Sequence, residues 1–403
     1  MSARVRTGLL GLSLLVSLYV IIGGLLGQTA GEGAYRQLGV FSEVLSRIKS
    51  DYVEEPNITS VTRGALHGLL QSLDPYSSYL SPPEFEAYQR RNPAHTADVG
   101  LVLSKRFGMI SVVAALPDSP AERAGIRVGD ILESIAGFSS REMSIEQAKL
   151  LLAGEPGTSV KVAVIRERRT EPKELELVRA VWKGTPVTSR TLEDDIGYLR
   201  VVAFHTGSAA EVRAHLERLQ HRGVGKLVLD LRGCASGDAR EAVDTARLLL
   251  EKGLIAYLEG QQFPRQQFTA DPRHTVWRGP LTVLIDASTA GPAELVAAAV
   301  REQRRGELLG AHSYGVGAVQ KVIPLEDGSA LILSVAKYYT ASGKAIQHTG
   351  VEPTLEVEAL LEPEAEAEFV PRLRPALEND PVVLKALELL RAKALSSVAR
   401  PAA

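Results

Sequence analysis

The chain opens with an apolar run that differs from everything after it. Arg4 and Arg6 precede residues 8–26, which hold no charged side chain. A helix of these 19 residues rises roughly 28 Å, about the thickness of the hydrocarbon layer of a bilayer. The run therefore predicts a membrane helix, with the arginines inside and the bulk of the chain outside the cytoplasm. A cleaved signal peptide is the alternative, although residues 28–30 fit a cleavage site poorly.

The apolar spacing then becomes helical and afterwards alternating. Apolar residues recur at helical spacing through residues 41–48 and again from Val61 to Leu73, so residues 35–95 are expected to be helical, with a turn-rich segment at 73–85. Residues 97–182 hold short β-rich runs between turns, with one helix predicted at Ile145–Leu152. They predict a small β-domain.

Strands and helices alternate through residues 190–355. Near-continuous apolar strands, such as KLVLDLR and LTVLIDA, are separated by amphipathic helices. This alternation predicts an α/β domain with a mainly parallel sheet. An acidic, proline-containing tail follows and ends in a short helix. The predicted organisation is an anchor or signal at 1–30, a helical segment at 31–96, the β-domain at 97–182, the α/β core at 183–357 and the tail and helix at 358–403.

Composition excludes several classes of function. Lysine and arginine number 46 against 48 aspartates and glutamates, a net charge of −2. This balance gives no reason to expect a nucleic-acid partner, since such proteins usually carry a basic excess. The single cysteine, Cys234, allows no internal disulfide, and the eight histidines form no HExxH motif or Cys/His cluster. We expect no metal and no cofactor.

The β-domain carries a specific motif. SPAERAGIRVGDILESIAG at residues 119–137 and GTSVKVAVIR at residues 157–166 resemble the PDZ module of bacterial carboxy-terminal processing (tail-specific) proteases. PDZ domains hold a peptide carboxylate on backbone N–H groups and pair the peptide with a strand edge. The resemblance places the carboxylate loop at Val99, Gly100 and Leu101, and starts the pairing strand at Val102 and Leu103. The helix Ile145–Leu152 is then the other wall of the groove.

The flanking segments match the same family of serine peptidases. The resemblance runs through residues 35–395 and implies a ClpP/crotonase-like protease core, although Tyr76 replaces a histidine in the family's LDPHS segment. Such proteases use a serine nucleophile and a lysine general base. Here the serine motif reads TAGPAE at 289–294 and the lysine motif reads YGVGAVQ at 314–320, so Gly291 and Val316 occupy the two catalytic positions. The neighbouring motif residues, including Gln320, remain in register.

A third motif has also changed. The family pattern DLRxNxGG reads DLRGCASG at 230–237, and by resemblance Gly237 supplies an N–H to the oxyanion while Ser236 replaces a glycine. The turn itself is expected to survive, because Gly291 suits a helix N-cap and the residue after it is a proline. Val316 is expected to fill an apolar pocket.

Three functions compete. The first is a pseudoprotease of the cell envelope that binds the C-terminal tails of proteins through its PDZ domain without proteolysis, or pairs with an active relative or with itself as a homo-oligomer. The second is an active serine-type hydrolase with a non-standard nucleophile, such as Cys234 or Ser288 paired with His312; Ser313, Lys321 and Lys337 also lie nearby in sequence. The third is a structural envelope protein. In each case the anchor predicts an inner-membrane location with the bulk of the chain in the periplasm.

Overall fold

The computed structural model describes residues 37–90, 97–106, 108–166, 171–181, 187–193, 195–357, 369 and 376–398. The predicted membrane segment at 8–26 lies outside these ranges. Among the helices of the described residues, none has both the length and the hydropathy of a bilayer span.

The chain divides into two compact units, residues 1–65 and residues 66–403. The first contains helix α1, described over 37–51, and the start of helix α2, Ile58–Gln71. Strand β1, Ser78–Leu80, and helix α3, Pro82–Arg90, follow in the second unit. The predicted helices at 41–48 and 61–73 are present in α1 and α2, whereas β1, a buried strand that pairs with a distant one, and the start of α3 occupy the segment predicted to be rich in turns.

The small β-domain follows as predicted. Its elements are strands β2 (Leu101–Arg106), β3 (Met109–Ala115), β4 (Ile131–Ile135), β5 (Phe138–Ser139), β6 (Ser159–Ile165) and β7 (Lys173–Val178), and helices α4 (Pro120–Arg123) and α5 (Ile145–Leu152). The strand order is β2-β3-β4-β6-β7, with β5 paired to β4, so β2 and β7 are the two edges. Helix α5 has the predicted bounds. It begins at a capping box in which Ser144 and Gln147 each bind the other's backbone N–H, and it turns Ile145, Ala148 and Leu152 into the domain core.

The α/β core is built on the predicted parallel sheet. Its elements are strands β8 (Thr188–Glu193) and β9 (Ile196–Arg200), helix α6 (Ser208–His221), β10 (Lys226–Asp230), α7 (Ala239–Leu249), β11 (Leu254–Glu259), β12 (Gln266–Thr269), β13 (Leu281–Ile285), α8 (Pro292–Glu302), β14 (Glu307–Gly310), β15 (Ala318–Pro324), β16 (Ala330–Thr340), β17 (Leu355–Glu356) and the terminal helix α9 (Pro381–Val398). The sheet order is β17-β14-β13-β10-β9-β8, and every pair is parallel except β8 with β9.

Alternate side chains of these strands enter two different cores. Leu227 and Leu229 of β10 pack with helices α6, α7 and α8, whereas Val228 between them packs with α9 on the opposite face. Burial on both faces is the reason that the strand sequences are apolar throughout. The result is a sheet with helices on both sides.

A second, antiparallel sheet was not predicted. It has the order β1-β16-β11-β12, and β15 pairs with β16 in addition. The strand β16 is 11 residues long; β1 pairs with its residues 330–332, β15 with residues 330–337 and β11 with residues 337–340. Strand β15 is its neighbour in sequence, but β1 and β11 lie far from it, and periodicity within a single segment does not reveal such pairs.

Candidate functional site

The positions of the missing dyad, Gly291 and Val316, lie in the loops that follow β13 and β14, two neighbouring parallel strands. The loop after β10 and the loop after β13 meet because the carboxyl ends of adjacent parallel strands share one edge of a sheet. The Asp286 carboxylate accepts a hydrogen bond from Gly233 N at 3.0 Å, and Ala290 N donates to Cys234 O at 3.0 Å. These bonds fix the oxyanion-type loop against the nucleophile-type turn.

Gly291 occupies a sharp strand-to-helix turn. Its φ is 60° and its ψ is −121°, and it is the N-cap residue of α8 with Pro292 at the first helical position, as predicted. Residues other than glycine adopt this backbone region only with strain. A Cβ built on Gly291 would have its nearest neighbour, Ala235 O, 4.0 Å away. The turn therefore has room for a side chain but carries none.

Glu294 ties this turn to the loop of the missing lysine. Its carboxylate is fully buried and accepts hydrogen bonds from Gly291 N at 2.8 Å, Gly315 N at 2.7 Å, Val316 N at 2.8 Å and the Ser313 hydroxyl at 2.5 Å. Burial raises the pKa of Glu294 to about 7, although the four donors act in the opposite direction. In the sequence, Glu294 is only the last residue of the TAGPAE motif, and its role in holding the second loop was not predicted.

Val316 belongs to an apolar cluster. Its neighbours there are Ala235 and Ala290 from the two loops, Tyr314, and three residues of the β-domain, Val102, Val113 and Ala114. The predicted apolar pocket is thus present, and part of its wall comes from strands β2 and β3. No group in this cluster accepts a proton from a nucleophile at neutral pH, because the one polar side chain is a tyrosine phenol.

Gly237, the predicted oxyanion donor, adopts a backbone conformation that suits only glycine. Its φ is 122°, and a Cβ at this position would overlap the Phe204 backbone, so only glycine fits. Phe204 N donates to Ser236 O, and Asp238 N donates to Phe204 O. No described residue accepts a hydrogen bond from Gly237 N, so this donor remains available at the edge of the site.

Two glutamines of the site differ in role. The predicted site residue Gln320 is exposed on β15 and donates to Ala318 O and Ser334 Oγ. Gln347, which sequence reasoning missed, is buried, and its Oε1 accepts from the N–H groups of Gly317 and Ala318. Gln347 therefore holds the lysine-type loop, whereas Gln320 borders it.

Tyr76 connects the two domains beside this site. Its hydroxyl lies 3.3 Å from Ser104 Oγ on β2, and its ring packs against the β-domain core. Burial raises the pKa of Tyr76 to about 12, and Glu294 and Gln347 are among the neighbours that influence it. The residue that replaces the family's histidine is thus a neutral bridge.

Of the alternative nucleophiles considered above, only Ser313 is hydrogen-bonded to a group that can accept its proton, the Glu294 carboxylate, and the Ser313 side chain is buried. Ser288 and His312 share no hydrogen bond, and the His312 ring contacts Ser313 O instead. The Ser313 hydroxyl is one of the four donors to Glu294 and also accepts a hydrogen bond from Val351 N, so it helps to hold the loops of the site together. Burial raises the pKa of the Cys234 thiol well above its ordinary value, which favours the unreactive thiol form. Lys321 and Lys337 are exposed on β15 and β16, and within the described ranges no three His, Cys, Asp or Glu residues form a potential metal site.

The peptide groove was predicted along β2, which is an edge strand in the described part of the β-domain sheet. Val99 and Leu103 turn their side chains into the β-domain core, Val102 faces the apolar cluster, and Leu101 packs partly against the core. Gly100 has a φ of 76°, and its N–H donates to the Asp98 carboxylate at 2.7 Å. One of the loop donors expected to hold a ligand carboxylate is therefore already bound to an internal one.

Comparisons with known proteins match this architecture. A model of peptidase family S41 matches residues 195–357, and a PDZ domain model matches residues 111–166. The chain is 31% identical over 332 residues to the carboxy-terminal-processing protease of Bartonella bacilliformis, covering 81% of this chain and 76% of that protein. It is 30% identical over 336 residues to the carboxy-terminal processing protease CtpA of Bacillus subtilis, covering 83% and 72%.

A solved structure agrees in fold. The photosystem II D1 C-terminal processing protease superposes with a TM-score of 0.68 at 27% identity, over 79% of this chain and 92% of that one. The predicted resemblance and the mixed α/β fold with a PDZ domain and a protease-like core are confirmed. The chain belongs to the carboxy-terminal processing proteases of peptidase family S41.

Proposed function

We propose that this chain is a non-catalytic member of its family that binds the carboxy-terminal tails of other proteins through its PDZ domain. The observation that carries the proposal is the pair Gly291 and Val316, at the two dyad positions of a site whose turns and supporting hydrogen bonds are otherwise retained. We place this activity in the cell envelope, with residues 8–26 as the membrane anchor and the rest of the chain in the periplasm.

The chemistry of the site supports the loss of catalysis. Gly291 supplies no hydroxyl, and Val316 stands in an apolar cluster where a lysine amine would act as the base. Losing the nucleophile of a serine protease costs about six powers of ten in kcat, while the oxyanion donors alone leave only a small residual rate. Gly237 N can supply an oxyanion donor, but it cannot replace the missing nucleophile.

The geometry of the PDZ domain supports tail binding. β2 is an edge strand, so its outer backbone groups are placed to pair with an added peptide strand, and α5 lies across from it. Because Asp98 already binds Gly100 N, a bound carboxylate would use the following loop donors or displace the aspartate.

Binding is tested with fluorescent peptides that end in apolar residues, in free-acid and amidated forms. We expect the free acid to bind the full chain about tenfold more tightly, since tenfold corresponds to the loss of roughly one charge-assisted hydrogen bond. Leu101→Asp should weaken free-acid binding by a similar factor, because it sets a carboxylate beside the ligand's own. Phe138→Asp, at an exposed position on β5, is the matched control and should leave binding unchanged.

Equal affinity for both peptide forms would count against carboxylate recognition, and no binding at all would favour a structural role. Catalysis is tested separately, by mass spectrometry of the same peptides after long incubation. The free acid should remain intact, and reproducible hydrolysis by a preparation free of other proteases would overturn the proposal.

A further inference from the structure

The aromatic side chain of Phe369 packs on the PDZ domain, although Phe369 lies outside the sequence of that domain. It follows the α/β core in the chain, yet it is 8% exposed and packs into the PDZ core cluster. Its contacts lie at the end of β6 and the start of β7, on the opposite side of the sheet order from the peptide-binding edge β2. This contact is therefore distinct from the predicted groove.

The niche around Phe369 is built from two cations. The Arg166 guanidinium carbon lies 4.0 Å from the ring centroid, and Lys173 Nζ lies 5.3 Å from it. Arg166 is itself locked, since Nε and Nη2 bind the two carboxylate oxygens of Asp130 at 2.8 and 2.7 Å, and Nη2 also donates to Gly125 O. A guanidinium held in this way presents its face to the ring without further loss of side-chain freedom.

The chain enters and leaves this niche from the α/β core. Val357 and Leu377 both pack against the cluster beneath helix α9. Phe369 stands 12 residues after the first and 8 before the second. Eight residues span at most roughly 28 Å, so a bound Phe369 limits how far the PDZ domain can move from the core.

The sequence on both sides of the contact is complementary in charge. Five glutamates, at positions 358, 362, 364, 366 and 368, precede Phe369 with no cation among them, and two arginines, at positions 372 and 374, follow it, so residues 358–375 keep a net charge of −3. The hairpin that joins β6 to β7 carries four cations, at positions 166, 168, 169 and 173, against two glutamates. Opposite charges of this kind favour the contact and make it sensitive to salt.

We propose that the face formed by Arg166 and Lys173 is a second binding site of the PDZ domain, for an aromatic side chain in an acidic segment. Its occupant is this chain's own Phe369, and this contact straps the PDZ domain to the α/β core. This site shares no residue with the predicted groove or the dyad positions, so the outcome of its test does not depend on whether the protein binds tails.

The test is hydrogen–deuterium exchange on the full chain in detergent, read by mass spectrometry over the PDZ strands β6 and β7. Phe369→Ala should raise their exchange about tenfold or more, as expected for losing a buried phenylalanine and its cation contacts. Phe138→Ala, which removes an exposed ring from the same domain, should change it less than about twofold. Phe369→Leu keeps an apolar side chain, and its exchange over β6 and β7 should be intermediate between those of the other two variants. It replaces Phe369→Ala in the test if that variant does not fold.

A peptide with the sequence of residues 362–372 then tests the site in trans. It should restore slow exchange to the Phe369→Ala protein, and more weakly at high salt, whereas the same peptide with alanine for phenylalanine should not. Exchange in Phe369→Ala equal to that in Phe138→Ala would overturn the strap. Equal rescue by both peptides would overturn the aromatic niche.

Discussion

Returning the two missing groups to the site is the most direct test of how much catalytic geometry survives. The perturbation is Gly291→Ser combined with Val316→Lys, compared with each single substitution. A serine Cβ at residue 291 meets nothing closer than Ala235 O at 4.0 Å, so its cost is backbone strain of about 1–3 kcal/mol. The lysine replaces a packed valine with an amine in an apolar cluster, which adds about 1–3 kcal/mol.

We expect the doubly substituted protein to remain folded. The two costs sum to about 2–6 kcal/mol, which reaches only the lower end of the 5–15 kcal/mol typical of a folded domain. It need not be additive, because Glu294 binds the backbone at both positions. The apolar surroundings that penalise the lysine also lower its pKa towards the neutral form that a general base requires.

The assay is mass spectrometry of a free-acid peptide with an apolar end. We expect product only from the double variant, at a rate well below that of an intact protease, because Ser236 alters the oxyanion loop and strands β2 and β3 cover part of the pocket. Gly291→Ala with Val316→Lys is the matched control, with the same strain and the same amine but no hydroxyl. A folded double variant that makes no product would refute the idea that the site is preserved, and product from the control would point to another nucleophile.

Two further predictions concern stability. Burial raises the pKa of Glu294 from 4.5 to about 7, so its contribution to stability is complete below about pH 4.5 and is lost as the pH rises through about 7, a change of about 3 kcal/mol. Urea unfolding at pH 5 and pH 8 should therefore show a fall in the free energy of unfolding that is smaller by about 3 kcal/mol in Glu294→Gln than in the unsubstituted protein. Identical pH profiles of the two proteins would contradict this. Gly237→Ala should lower the free energy of unfolding by more than about 3 kcal/mol, because the new Cβ overlaps the Phe204 backbone. Gly207→Ala, at a φ of 93° with open space around it, should lower it by only about 1 kcal/mol. Equal losses of stability in thermal unfolding would show that the overlap is relieved.

The sequence predicted the local elements and the identity of the site better than the way the site is held. The bounds of α5 and the parallel strands around β10 follow from capping residues and apolar runs, which are properties of short segments. The helix start at Gly291 and Pro292 was predicted for the same reason. These features depend on neighbours in sequence and so can be read from it.

What could not be predicted depends on residues that meet across the chain. The Glu294 carboxylate accepts hydrogen bonds from two loops because folding brings residues 313–316 beside it. The Asp98 carboxylate accepts the hydrogen bond of Gly100 N, a donor that was expected to bind the ligand. Phe369 lies in an acidic, proline-containing tail with no periodic signal, and only its contact with Arg166 reveals it. No pattern within a single segment specifies such contacts.

The pairing of β1 with β16 affects the order in which parts of the protein fold during synthesis. Ser78 of β1 pairs with Ile332 of β16, 254 residues later in the sequence. At about 5–20 residues per second, a ribosome needs roughly 13–50 s to deliver that partner after β1 has emerged. During this interval β1 lacks its partner β16, while the strands of the PDZ domain, which all lie within residues 101–178, can already pair with one another. A chain with this topology can therefore build the sheet of its middle domain before its first strand is paired.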